Sequence, residues 1–195
     1  MLRRRIALGW LAVFALLAWK AGAEEAARPK RLLLTFLGDV MAHGVNFRAP
    51  DYAAAYRPVR AFLLRDNLTF ANLETPVDPS RECSTYPQFN VGPGYLAAAA
   101  EAGIDVFSLA NNHAFDQGLE GLAATIGSLE ATGRRSFRRI WYAGTRADRR
   151  REFAPVEILL EGWRIGFLAA TQQPNLPLPE PYVLRVDYWQ EDQVE

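Results

Sequence analysis

Three apolar runs, each closed by a polar cluster, constrain this chain more than any other feature. Residues 32–37 are continuously apolar or β-branched and stop at Gly38-Asp39. Residues 68–73 run into Glu74, and residues 104–109 run into Asn111-Asn112-His113. Short apolar runs bounded by turn formers read as buried strands. The intervening segments suit helices: 56–64, with Pro58 in the first turn; 94–102, stopped by Gly103; and 119–131, closed by Gly133. Residues 78–92, rich in Pro, Ser and polar side chains, read as a loop. Two further strands, 156–160 and 164–170, are joined by Glu161-Gly162, a hairpin signal. Strand alternating with helix predicts an α/β fold with a mainly parallel sheet. In such sheets, sites form at the carboxyl ends of the strands. The three polar clusters therefore converge on one edge.

Composition narrows the class. The chain has 195 residues, 50% hydrophobic and 12% aromatic, enough for a packed core without staples. One cysteine, Cys83, excludes an intrachain disulfide framework, and two histidines, His43 and His113, exclude a metal site built mainly of imidazole. Residues 1–23 read as an export signal: Arg3-Arg4-Arg5, an apolar stretch over 6–19, then Ala21-Gly22-Ala23. The expectation is cleavage after Ala23, the alternative an anchor through 6–19. Either places the folded part outside the cytoplasm, in the periplasm or at the cell surface. Cleavage removes Arg3, Arg4, Arg5 and Lys20, four of 22 positive charges, and no acids; that leaves 18 against 22, a net charge of −4. A mildly acidic mature chain argues against nucleic acid as a partner.

Asp39, Glu74 and Asn112 are oxygen donors suited to a divalent metal such as Mn, Fe or Zn. His113 is placed to give a proton to a leaving oxygen. Asp116, three residues on, is in range of its other ring nitrogen or caps the helix that follows. His43, four residues after Asp39, is a further candidate ligand or a solvated loop residue. Eight arginines crowd 134–151: Arg134, Arg135, Arg138, Arg139, Arg146, Arg149, Arg150 and Arg151. They read as a docking patch for an anionic polymer or a membrane surface, or as a solvated loop with local ion pairs.

GDVMAHG at 38–44, NLETPV at 72–77 and FNVGPGYLAAAAEAGIDVFSLANNHAFDQG at 89–118 resemble the bacterial capsule-synthesis proteins typified by CapA, the poly-γ-glutamate capsule biosynthesis family. The resemblance assigns 31–173 to the N-terminal part of a CapA-like domain and 174–195 to a Pro-rich tail. That family in turn resembles the calcineurin-like metallophosphoesterases, which implies an α/β sandwich with a two-metal centre. By the resemblance, Asp39, Glu74 and Asn112 take the metal-ligand places, His113 the general-acid place and Asp116 that of its carboxylate partner. The chain departs from the pattern in having Met41 where the superfamily has a histidine, and no histidine after His113. The expectation is an incomplete sandwich and an exported accessory protein of capsule biosynthesis, acting with an anionic polymer or the capsule-synthesis machinery. The alternative is a metal-dependent phosphoesterase or nucleotidase acting on an exported phosphate ester.

Overall fold

The computed structural model describes residues 31–177 and 182–186. The expected export signal at 1–23 and much of the expected Pro-rich tail lie outside the described residues. The chain divides into two compact units: the larger holds Leu33–Val156 and continues from Phe167, and the smaller includes Glu157–Gly166. No helix among the described residues is long and apolar enough to cross a membrane.

The elements in order are β1 (Leu34–Val40), α1 (Gly44–Phe47), a 3-10 turn (Tyr52–Ala55), α2 (Arg57–Leu63), β2 (Leu68–Leu73), α3 (Pro93–Ala102), β3 (Ile104–Ser108), α4 (Gly118–Ser136), β4 (Trp141–Ala143), β5 (Val156–Leu160) and β6 (Trp163–Phe167). The first four strands form one sheet in the order β1-β2-β3-β4, with every pair parallel. The α/β expectation with a parallel sheet holds. β5 and β6 form a separate two-stranded sheet. Their turn puts Glu161 at φ 48 and Gly162 at φ 85, the left-handed pair that a tight hairpin needs.

β2 is buried along almost its whole length, as a central strand with covered faces should be. β1 differs from expectation. Its apolar run predicts burial, yet Phe36 is 70% exposed and Leu33 and Leu37 are exposed too. The sheet order explains this: β1 is an edge strand with a neighbour on one side only. Phe36 recovers some contact by stacking on Phe70, ring centroids 4.8 Å apart. β1 also runs through Gly38-Asp39 instead of ending there. Phe36 pairs with Phe70 and Asp39 with Asn72, so β1 carries one extra residue against β2. That bulge sets Asp39 level with Asn72.

α4 likewise runs past Gly133 and ends at Phe137 in the left-handed region, φ 54. Gly133 is no stop signal. A Cβ there would lie 3.1 Å from the Arg138 carbonyl, so its missing side chain lets the returning chain pass close to the helix. At Gly103 the expected stop holds: φ is 126, and a Cβ would meet Leu63 at 2.9 Å. The main core joins Val40, Leu73, Leu96, Ile104, Phe107 and Leu129 between sheet and helices.

The 78–92 loop has no regular element beyond a Ser84–Asn90 bridge, yet it is firmly held. Asn90 is wholly buried. Its Oδ1 accepts from the Asp78 amide at 2.9 Å, and its Nδ2 faces the carbonyls of Asp78, Glu82 and Arg81 at 3.0, 3.1 and 3.3 Å. Thr125 and Ser128 of α4 bind the Val77 amide and carbonyl, fixing the start of the loop. Burial pushes the Asp78 carboxyl up, but Ser80's hydroxyl and amide and the Arg81 guanidinium outweigh it and hold it below its ordinary value.

Two outcomes follow from this loop. Asn90→Ala leaves buried backbone groups unpaired and should cost about 1–3 kcal/mol, read as a lower urea midpoint with an unchanged slope. Because the Asp78 carboxyl is depressed in the folded state, its stabilisation is present above the ordinary value of 3.8 and lost as pH falls through the lower folded value. Asp78→Asn should therefore be less stable than wild type at neutral pH and lose less on acidification, as followed by denaturant titration across pH.

Candidate functional site

The carboxyl ends of β1, β2 and β3 are joined by side-chain amides. Asn111 donates from Nδ2 to Asn72 Oδ1 at 3.0 Å and to the Leu73 carbonyl at 2.9 Å. Its Oδ1 accepts from the His113 backbone amide at 3.1 Å. Asn72 in turn donates from Nδ2 to Asp39 Oδ1 and to Glu74 Oε2, each at 2.9 Å. Both carboxamides have committed all their donors. Asn72 and Asn111 were visible in the sequence only as members of polar clusters, and nothing in their spacing marked them as the links.

The relay brings Asp39 and Glu74 together. Asp39 is exposed and Glu74 half-buried. Burial, and then the neighbouring Asp39 carboxylate, push the Glu74 carboxyl above its ordinary value, with His113 pulling the other way.

His113 is 6% exposed and Asp116 4%. Asp116 Oδ2 lies 2.7 Å from His113 Nδ1 and also accepts the Phe89 amide at 2.8 Å. A carboxylate on Nδ1 holds the proton there and leaves Nε2 as the nitrogen that can exchange one. Gln117 donates to the Phe89 carbonyl at 2.9 Å, so the Phe89 backbone is gripped from both ends. The Phe89 ring meets His113 edge-on at 4.7 Å and His43 at 5.1 Å. His43 is exposed, with Nδ1 3.3 Å from the Thr85 hydroxyl. Burial raises the Asp116 carboxyl above its ordinary value, and the bonds from Phe89 and His113 offset this only in part. Its second oxygen, Oδ1, is buried without a partner among the described residues.

A pocket of about 400 Å³ opens at this pair, lined by Tyr86, Gln88, Asn112, His113, Asp116 and Asn175 among others. Asn175 is the residue that sequence reasoning missed. It lies in the Pro-rich stretch, far along the chain, and only folding reveals it. Its amide donates to the Asn112 carbonyl at 2.7 Å, and its side chain approaches Asn112 Nδ2 at 3.4 Å. Its Nδ2 is 3.3 Å from His113 Nδ1 and 3.5 Å from Nε2.

The arginines do not act as one group. Arg138 turns inward, donating to Asp105 at 2.6 Å and to the Ala100 carbonyl at 3.1 Å. Arg134 lies 3.7 Å from Glu130, one turn back on α4. Arg139 sits over Trp141 and Arg146 over Phe153. Arg135, Arg149, Arg150 and Arg151 are exposed.

The family model described as bacterial capsule synthesis protein PGA_cap matches residues 33–191. The chain belongs to this family. The resemblance read from the 38–44, 72–77 and 89–118 motifs is thereby upheld. No curated protein matches the chain.

A divalent metal is the cofactor that resemblance implies for a capsule-synthesis protein of this kind. The donor set fits it poorly. Asp39 and Glu74 share the Asn72 amide, and among the described residues no three His, Cys, Asp or Glu side chains are placed to hold a metal ion. These residues do not make a two-ion centre. What the site holds by itself is an ordered buried pair, His113 Nδ1 against Asp116 Oδ2 at 2.7 Å.

Asp116→Ala should cost about 1–3 kcal/mol, because the buried Phe89 amide loses its acceptor. Asp116→Asn keeps a carbonyl oxygen there and should cost less. Urea unfolding of the two variants checks the order.

Proposed function

We propose that this PGA_cap protein works outside the cytoplasmic membrane as an accessory protein of capsule assembly, with poly-γ-glutamate as the polymer, and not as a catalyst in its own right. The observation that carries the reading is the family match over 33–191 joined to a site in which, among the described residues, Asp39 and Glu74 share one Asn72 amide and Asp116 is taken up by His113 and Phe89. The Arg-Arg-Arg start and apolar stretch of residues 1–23 support export. The exposed Arg135, Arg149, Arg150 and Arg151 offer positive charge to an anionic polymer or a membrane surface, and Arg138 does not contribute.

One observation favours a second reading, a metal-dependent phosphoesterase on a metallophosphoesterase-like sandwich. The His113–Asp116 pair faces an open pocket with Nε2 unclaimed by Asp116, the arrangement of a general acid for a leaving oxygen.

Two measurements separate them. A strain deleted for this gene should make less capsule; the wild-type gene should restore it, and an Arg149→Ser, Arg150→Ser, Arg151→Ser triple variant should restore it only in part. An unchanged capsule in the deletion strain contradicts the accessory role. The purified full chain, supplied with Mn or Zn, should not turn over an aryl phosphate. Turnover abolished by His113→Ala would establish the phosphoesterase instead.

A further inference from the structure

The pocket at His113 has a lining that an anionic ligand alone does not explain. Its lining holds three carboxamides, Gln88, Asn112 and Asn175, one exposed aromatic ring, Tyr86, and no lysine or arginine. The carboxylate beneath it, Asp116, has one oxygen that accepts from no described residue. An anion entering this space would meet the Asp116 carboxylate with no lysine or arginine beside it, His113 being the one lining side chain able to carry positive charge. A neutral ligand rich in hydroxyl groups meets the opposite situation. Each hydroxyl is both donor and acceptor, and each carboxamide offers both in one plane.

The amides are also arranged for a ligand instead of being spent on the fold. Gln88 is exposed and its side chain makes no hydrogen bond among the described residues, and Asn112 and Asn175 meet only at 3.4 Å. Asn175 Nδ2 is nearly equidistant from the two His113 nitrogens. In the ring plane, that position would run the amide into the Cε1 hydrogen between them. It therefore sits over the ring face, a weak contact that a better acceptor can displace. Tyr86 is 72% exposed at the pocket. A flat apolar ring carrying a phenolic hydroxyl suits the C–H face of a pyranose.

We propose that this pocket is a saccharide subsite, taking a neutral hexopyranose unit that stacks on Tyr86 and hydrogen-bonds to Gln88, Asn112 and Asn175. The proposal rests on the reading that the His113 pocket is the working site, and it adds a ligand distinct from the anionic polymer. A capsule protein so equipped holds a sugar-bearing component of the envelope at His113.

The test uses the full chain and two neutral probes, maltohexaose and chitohexaose, against a poly-γ-glutamate oligomer and inorganic phosphate. With only two histidines, the C2 proton of His113 is readily followed by NMR. At least one neutral oligomer should bind in calorimetry and shift that proton. Tyr86→Ala and Gln88→Ala, both exposed and outside the core, should each weaken binding roughly tenfold without changing the melting temperature. Affinity unchanged in both variants overturns the proposal. So does silence from both neutral oligomers, whatever the anions do. If the anions then shift His113, the pocket remains the working site with another ligand; if nothing shifts it, that reading falls as well.

Discussion

The carboxamide of Asn111 is the contact on which the site depends. Strand ends in a parallel sheet have no reason to agree beyond the sheet itself: the ladder aligns backbones and leaves the following loops to chance. Asn111 removes that freedom. It ties the turn after β3 to Asn72 and Leu73 on β2, and Asn72 carries the tie on to Asp39 on β1 and to Glu74. Hydrogen bonds in such a chain polarise one another, so losing one link weakens the rest. The bulge in β1 serves the same end, since without the extra residue Asp39 would not lie level with Asn72.

Phe89 is the second organising point. Its backbone is clamped by Asp116 and Gln117, and its ring touches both histidines. The long loop before it is held from within by Asn90 and from outside by Thr125 and Ser128 of α4. An irregular segment can build a precise wall for a pocket when its buried polar groups are all answered. Here the wall carries Tyr86 and Gln88 to the pocket.

Much of the frame was legible in the sequence, for reasons that also explain what was not. The strands read at 68–73 and 104–109 and the helices read at 56–64 and 94–102 fall within a residue or two of the observed elements, because local pattern marks them: apolar runs, Pro58 at a start, Gly103 at a stop. The exposure of β1 is set by strand order, which no local window contains. Gly133 looks like a terminator because close packing against Arg138 leaves the same residue type as a cap does. β4 is three residues long and was hidden among arginines. The pairing of His113 with Asp116 was readable from a spacing of three, whereas Asn90 and Asn175 take their importance from chain returning over a long separation.

Membership of the PGA_cap family and the geometry at His113 bear on each other through one claim, that three strand ends are locked into a single site by Asn111. The most direct test is the imidazole Nδ1 proton of His113 in the full chain labelled with 15N-histidine. The wild-type protein should show one such proton, bound to Asp116 and protected from exchange with water. Asn111→Ala should keep its secondary structure by circular dichroism and lose that protected signal, because the turn carrying His113 is no longer tied to β2. A protected Nδ1 proton that persists unchanged in Asn111→Ala would contradict the account.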